Sequence, residues 1–313
     1  MHHGIIDMHT HIIPECYRAA LTDTGRITED GFLCPQWSAE RHLAFMDQMG
    51  IDISVLSISS PHHMHDLTED EVVLTQQINN EMAALSRTND RVRFAACLPL
   101  PMVEESVAEA CRALDELGAV AVKFPTNACG VYPADPRLTP LMDVLNARNA
   151  VVLFHPCKPA AVPEGCFTAG PLPLFEFLGD TTRAVIDLIA HNIPERWPNI
   201  RFVVPHMGSF LPPLINRLAG ITKIFAEKGL GEAIDPYRAL QSFYFDLAGN
   251  ALDASIAGLL TMTTPDHLLY GSDHPYTPET EAEKNLQKIN AHPLLASHLE
   301  AIYSQNAQKL LKL

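Results

Sequence analysis

No apolar run in these 313 residues reaches the ~20 needed to cross a bilayer, so no membrane-spanning helix is expected. No lysine- or arginine-rich run is present, and the net charge is −15, which argues against nucleic acid as a partner. The opening MHHGIID lacks the charged-then-apolar layout of a signal peptide. The seven cysteines are odd in number and form no CxxC pair, so they read as reduced thiols of a cytoplasmic protein, not as a disulfide framework. No internal repeat, linker or low-complexity stretch divides the chain, and residues 1–313 are read as one domain.

What the chain does contain is a rhythm. Short, continuously apolar runs alternate with amphipathic stretches. Strands are predicted over 4–11, 52–57, 93–99, 119–126, 150–156, 201–206, 243–248 and 267–273. Between them, 68–87 reads as a helix opened by a Thr68/Glu71 capping box, and 103–118 as one closed by Gly118. Eight strands alternating with helices predict an α/β fold, a (β/α)8 TIM barrel, with an open doubly wound sheet as the rival. Two connections, 12–36 and 157–180, exceed a simple loop and follow strand C-termini, where they are expected to cover a site. The tail from about 279 is expected to add helices on the outside.

The polar residues of interest sit at strand ends. Strand 1 ends in His9-Thr10-His11, strand 5 in His155, strand 6 leads into His206, and strand 8 ends in Asp273. Residues two apart on a strand point to the same side, so His9 and His11 can face one point at the barrel mouth. Imidazoles and a carboxylate converging there suit one borderline divalent ion, zinc first, with manganese, iron or cobalt as alternatives. The remaining imidazole is then free for acid–base work or for holding a carboxylate. Other histidines read differently. His62, His63 and His65 fall in a loop after strand 2, and His42 and His191 lie in helical patterns as surface or satisfied structural residues.

With these residues in view, the chain resembles the amidohydrolase superfamily in its amidohydrolase 2 branch. That branch is similar to the aminocarboxymuconate-semialdehyde, resorcylate, 5-carboxyvanillate and 6-methylsalicylate decarboxylases. The resemblance runs through D-x-H-x-H (Asp7, His9, His11), W-S-x-E-x-x-L-x-x-M-D (Trp37 to Asp47), N-N-E (Asn79 to Glu81), L-P-L-P (Leu98 to Pro101), F-H-P (Phe154 to Pro156), D-T-T-R-A-V (Asp180 to Val185), P-H-M-G-S-F-L-P (Pro205 to Pro212) and Y-G-S-D-H-P (Tyr270 to Pro275). It implies His9, His11, His155 and Asp273 as metal ligands, His206 and Asp273 as catalytic residues, and a homodimer. Lys123 invites the bridging-lysine role of two-metal hydrolases in the superfamily; otherwise it pairs with a core carboxylate or meets substrate. Some relatives complete the site with an arginine from the neighbouring subunit. Here Arg217 is followed four residues later by Ile221, which leaves Arg217 and Arg183 as structural residues.

The implied reaction is non-oxidative, metal-dependent decarboxylation of a small salicylate-like or enoic carboxylic acid, with Asp273 delivering the proton and His206 holding the carboxylate or shuttling the proton. The alternative is hydrolysis of a lactone or amide, or hydration, on the same scaffold, since a metal lowers the pKa of bound water to ~7. A metal-binding structural protein is the non-enzymatic alternative. Phe167, Phe175 and Phe177 are expected to line a ring pocket, with Trp37 flanking the ring. Asp246 is expected to position substrate or orient a ligand histidine.

Overall fold

Eight short runs of inward- and outward-facing apolar residues, each too short to stand alone, become stable only by pairing with one another. In the computed structural model, which describes residues 4–61, 68–165, 170–249 and 253–313, they pair in parallel and in chain order. The strands are β1 (Ile5–His11), β2 (Ile51–Ser57), β3 (Val92–Ala96), β4 (Ala121–Pro125), β5 (Val151–His155), β6 (Arg201–Val204), β7 (Phe243–Asp246) and β8 (Leu268–Leu269). The ring closes where β1 meets the continuation of β8. Met8 N donates to Tyr270 O at 2.9 Å, Asp273 N to His9 O at 2.7 Å, and His11 N to His274 O at 2.7 Å. The barrel reading stands, and the open-sheet alternative falls with this seam.

The period of two decides what each strand buries. Ile6, Met8, Val55, Ala95, Ala121, Val151, Leu153, Val203, Tyr244 and Leu269 fill the barrel. Their neighbours, such as Phe94, Val122, Phe124, Val152, Phe154, Phe202 and Phe245, pack outward against the helices. The C-terminal segment does more than decorate the outside. Ala307 and Leu310 join the interior cluster, and Asn306 Nδ2 donates to Leu268 O at 2.7 Å and Pro265 O at 2.9 Å, so the tail stoppers the end of the barrel away from the strand C-termini.

Three sequence expectations need correction. The eighth strand is shorter than 267–273, because beyond Leu269 the chain pairs irregularly with β1 and Asp273 takes a φ of 59°. The Thr68 side chain makes no capping bond. Glu71, three residues on, is 3% exposed and turned into the protein, so the reciprocal box does not form. His42 is neither on the surface nor hydrogen-bonded. It is buried in the helix Ala39–Met49 with both ring nitrogens lacking a partner among the described residues, packed near Trp37, Phe45 and His274. Gly118 does close its helix as expected, at a φ of 81°, after a π-helical turn over Ala113–Leu117.

Burial pushes the His42 pKa down to about 3. The unfolded chain therefore takes up this proton first, near pH 6.5, and stability is lost as pH falls from there toward the folded value. The slope is at most ~1.4 kcal/mol per pH unit for one proton. His42→Phe removes it. Urea midpoints measured from pH 7 to 4.5 should fall less steeply in the variant than in the parent; parallel curves would contradict the assignment.

Candidate metal centre

The site begins with an irregularity in β1. Its pairing with β2 shifts register between Asp7 and Thr10, a bulge that re-aims the strand end. Asp7 is wholly buried and clamps the bulge, its Oδ1 accepting from Ser272 N at 3.0 Å and His9 N at 3.2 Å; burial raises its pKa to about 7. His9, within the bulge, and His11, just past it, face the same point. His9 Nε2 lies 3.4 Å and His11 Nε2 3.1 Å from Asp273 Oδ1. His155, two residues above Leu153 on β5, rises from the layer below; its ring lies 4.7 Å from that of His11 and 5.5 Å from that of His9. One donor atom from each of His9, His11, His155 and Asp273 falls within 4.8 Å of all the others.

These residues fit a bound divalent cation, on grounds of hydrogen bonding as well as proximity. Each imidazole has its Nδ1 engaged from outside: His9 by Asp246 Oδ2 at 2.8 Å, His11 by Ser57 O at 3.2 Å, and His155 by Pro156 O at 2.8 Å. Acceptors at Nδ1 fix the proton there and leave Nε2 with its lone pair. His9 Nε2 is buried with no hydrogen-bond partner. Burial holds the His155 pKa well below its ordinary value, with the neighbouring positive charges of His11 and Lys123 adding to the effect, and burial lowers His11 as well. For Asp273 burial alone would favour the neutral acid, but the adjoining His11, His206 and His9 imidazoles prevail and hold the carboxyl well below the usual range. His11 and His155 therefore favour the neutral form; burial would lower His9 too, but Asp246 and Asp273 prevail and raise its pKa well above the ordinary value, so a divalent cation bound here would take the place of that proton.

Asp246 sits behind His9, on the Nδ1 side of its ring, where a positioning residue would stand. Besides His9 it accepts from the backbone N of His206 and of Ala248, each at 3.0 Å, so one carboxylate ties β1 to the turn after β6. Asp246→Asn should weaken metal affinity about 10- to 100-fold without unfolding the protein. Competition against a chromogenic chelator measures it, and an unchanged affinity would contradict the role.

His206 stands beside the ligands, with Nε2 3.8 Å from Asp273 Oδ2 and its ring 5.0 Å from that of His9. It occupies a constrained turn: His206, Met207 and Ser209 all have φ near 55°, and Gly208 has 77°. Non-glycine residues rarely adopt this region, and such strain gathers where a side chain must be aimed.

A cavity of about 570 Å³ opens at this end of the barrel. His155, His206, Asp273, Ser59 and Thr277 supply polar groups, and Phe32, Phe177, Leu178, Phe210 and Tyr276 supply apolar wall. Some expected substrate contacts lie elsewhere. Phe167, like His62, His63 and His65, is outside the described residues. Phe177 lines the cavity, whereas Phe175 is 44% exposed and packs on Phe210 from outside. Trp37 is absent from the cavity wall and packs near His42. Lys123 is level with Leu153, one layer below His155, and donates to Ser59 O at 3.1 Å, so it too is not a wall residue. Burial lowers its pKa to about 8. Arg183 pairs with Asp180, whose carboxylate also accepts from Thr126 Oγ1 at 2.6 Å, Asn127 Nδ2 at 2.8 Å and Tyr132 OH at 2.5 Å. Arg217 is exposed on the helix Leu211–Glu227 and away from the cavity. Cys157 Sγ donates to Asn127 O at 3.0 Å, a structural role.

Sequence reasoning missed Asp30, Phe32, Phe210 and Tyr276. Tyr276 carried one usable signal, its position three residues past Asp273; its ring sits 5.4 Å from that of His11. Asp30 and Phe32 lie in an irregular stretch with no periodic pattern to place them.

Comparison with known proteins agrees with this geometry. Decarboxylase yanB of Aspergillus niger is 30% identical over 97% of this chain and 86% of its own. The 6-methylsalicylic acid decarboxylase of Penicillium expansum is 27% identical over 87% of this chain and 85% of its own. In fold, the chain superposes on a 5-carboxyvanillate decarboxylase from Novosphingobium aromaticivorans, complexed with manganese and a nitrobenzoic acid, with a TM-score of 0.86, 22% identity, and coverage of 99% and 96%. The amidohydrolase family model matches residues 6–313, and the chain belongs to that family.

Proposed function

We propose that this protein is a metal-dependent, non-oxidative decarboxylase of a small hydroxylated aromatic acid. The observation that carries the reading is the donor set: three imidazoles pre-aligned through Nδ1 and one ionised carboxylate at a cavity whose wall includes Phe32, Phe177, Phe210 and Tyr276. The decarboxylases similar in sequence over most of this chain support it. We assign the ion to His9, His11, His155 and Asp273, as one zinc or manganese; the latter is what the 5-carboxyvanillate decarboxylase neighbour holds. When bound, such an ion would neutralise the substrate carboxylate and an adjacent hydroxyl and so hold the ring in place.

The chain's own residues supply the rest. Phe32, Phe177, Phe210 and Tyr276 enclose the ring and exclude water. Asp273 carries the proton to the ring carbon that bears the carboxylate. It is ionised at rest, so the proton reaches it during turnover. His206 Nε2, 3.8 Å from Oδ2, is the group placed to pass that proton or to hold the departing carboxylate. Thr277 Oγ1 donates to the same oxygen at 3.2 Å and fixes its orientation. Loss of carbon dioxide then restores the aromatic ring.

The described cysteines are free thiols, which fits a reducing compartment, and among the described residues no helix is long and apolar enough to cross a membrane. We infer a homodimer; the exposed Ile224, Phe225 and Leu230 are apolar side chains such an interface would cover. Turnover of hydroxybenzoates, lactones and amides measured side by side tests the reaction class. Carbon dioxide from the first group alone is expected; hydrolysis of the others without carbon dioxide release would overturn the reading.

A further inference from the structure

One carboxylate in the cavity wall is unused by the reaction above. Asp30 lies between the helices Glu15–Asp23 and Ala39–Met49, is 4% exposed, and lines the same cavity as His155 and Asp273. Ser60 Oγ donates to its Oδ1 at 3.2 Å. Among the described residues the Asp30 carboxylate accepts no other hydrogen bond, so Oδ2 is unfilled. Its surroundings are aromatic, with Phe32, Phe177 and Tyr276 in the same wall. Burial raises its pKa to about 6, so near neutral pH it is an acceptor only.

The side chain is also rigidly placed. Asp30 O accepts from Leu172 N at 3.0 Å, joining the two long connections that cover the site. Beside it, Gly31 takes a φ of 93° and lies so close to the second connection that a Cβ would meet Pro171 Cα at 2.9 Å. A fixed carboxylate with spare acceptor capacity becomes costly once an occupant of the cavity displaces water from it, unless that occupant donates to it. The occupant of the cavity is the group positioned to do so. A hydroxyl on that occupant would fill Oδ2. A methyl group would desolvate the carboxylate without pairing it, and a second carboxylate would be repelled.

We propose that Asp30 is a specificity-determining residue that accepts a hydrogen bond from a second ring hydroxyl, selecting dihydroxylated aromatic acids over their methyl-substituted counterparts. This rests on the decarboxylase reading for the class of ring, so the test separates the two. The metal-loaded protein, its Asp30→Asn variant and its Asp30→Ala variant are titrated calorimetrically with the three benzenediols and the three methylphenols, none of which has a carboxyl to lose. Asparagine keeps the shape and the bond from Ser60 but presents a donor in place of the free acceptor.

The parent should bind one benzenediol at least about tenfold more tightly than the matching methylphenol, the expected worth of a hydrogen bond to a charged group. Both variants should reduce that ratio to within about threefold, by weaker benzenediol binding together with unchanged or tighter methylphenol binding. With a dihydroxybenzoate as substrate, the variants should raise KM more than they lower kcat. No preference in the parent, a preference retained in both variants, or an equal loss for both ligand types would each overturn the assignment. Carbon dioxide release is read on the same samples. A hydroxyl preference lost in the variants, with no carbon dioxide from any acid, supports the Asp30 assignment and sinks the decarboxylase reading; carbon dioxide without a preference does the reverse.

Discussion

Asp273→Asn is expected to lower carbon dioxide release by about 10²- to 10⁴-fold, the range for loss of a positioned acid. Asparagine matches aspartate in shape, so Thr277 keeps an oxygen to donate to and the turn that leaves Asp273 at a φ of 59° is undisturbed. What disappears is a negative charge facing His9, His11 and His206, together with the ability to carry a proton to the ring. Two contributions are therefore mixed, weaker metal retention and lost proton delivery, and metal content separates them. A variant that keeps its ion yet has lost turnover isolates the proton role. A variant with full metal and full turnover would remove Asp273 from the mechanism.

Stripping the metal is the second large effect. Chelation should abolish turnover, and adding back zinc or manganese should restore it. It should also destabilise the fold, because an ion that binds only the native state stabilises by about 4 kcal/mol at a thousand times its dissociation constant. The stripped centre leaves the Asp246 and Asp273 carboxylates facing the His9 imidazole, whose pKa they raise against the effect of burial. Thermal unfolding with and without chelator measures the shift. Turnover and Tm that both ignore the chelator would show that these four residues hold no functional ion.

Much of this site could be read from residue order alone. His9 and His11 were legible because side chains on a strand repeat every two residues, and although His9 lies within the β1 irregularity the two rings still meet, 5.0 Å apart. His155 and Asp273 were legible because a parallel barrel brings all strand C-termini to one mouth. Of the two roles expected of Asp246, its place behind His9 fits the orienting one, since an inward-facing carboxylate at a strand end has few other partners. Legibility failed where position depends on loops folding back. Trp37 looked close to the mouth in chain order, yet it packs near His42, while Phe32 and Asp30 of the same connection reach the cavity. Lys123 was ambiguous for a geometric reason: it lies on β4 level with Leu153, one layer below His155. The Thr68 capping pattern failed because burying Glu71 competed with the cap.

The most direct test is turnover of a hydroxybenzoate in heavy water by metal-loaded protein, following carbon dioxide and the mass of the aromatic product. Release of carbon dioxide with a single deuterium at the ring carbon that lost the carboxyl is the predicted result, since the proton comes from exchangeable groups such as Asp273 and His206. No carbon dioxide from any acid, with oxygen from water appearing instead in the product of a lactone or amide, would contradict the account.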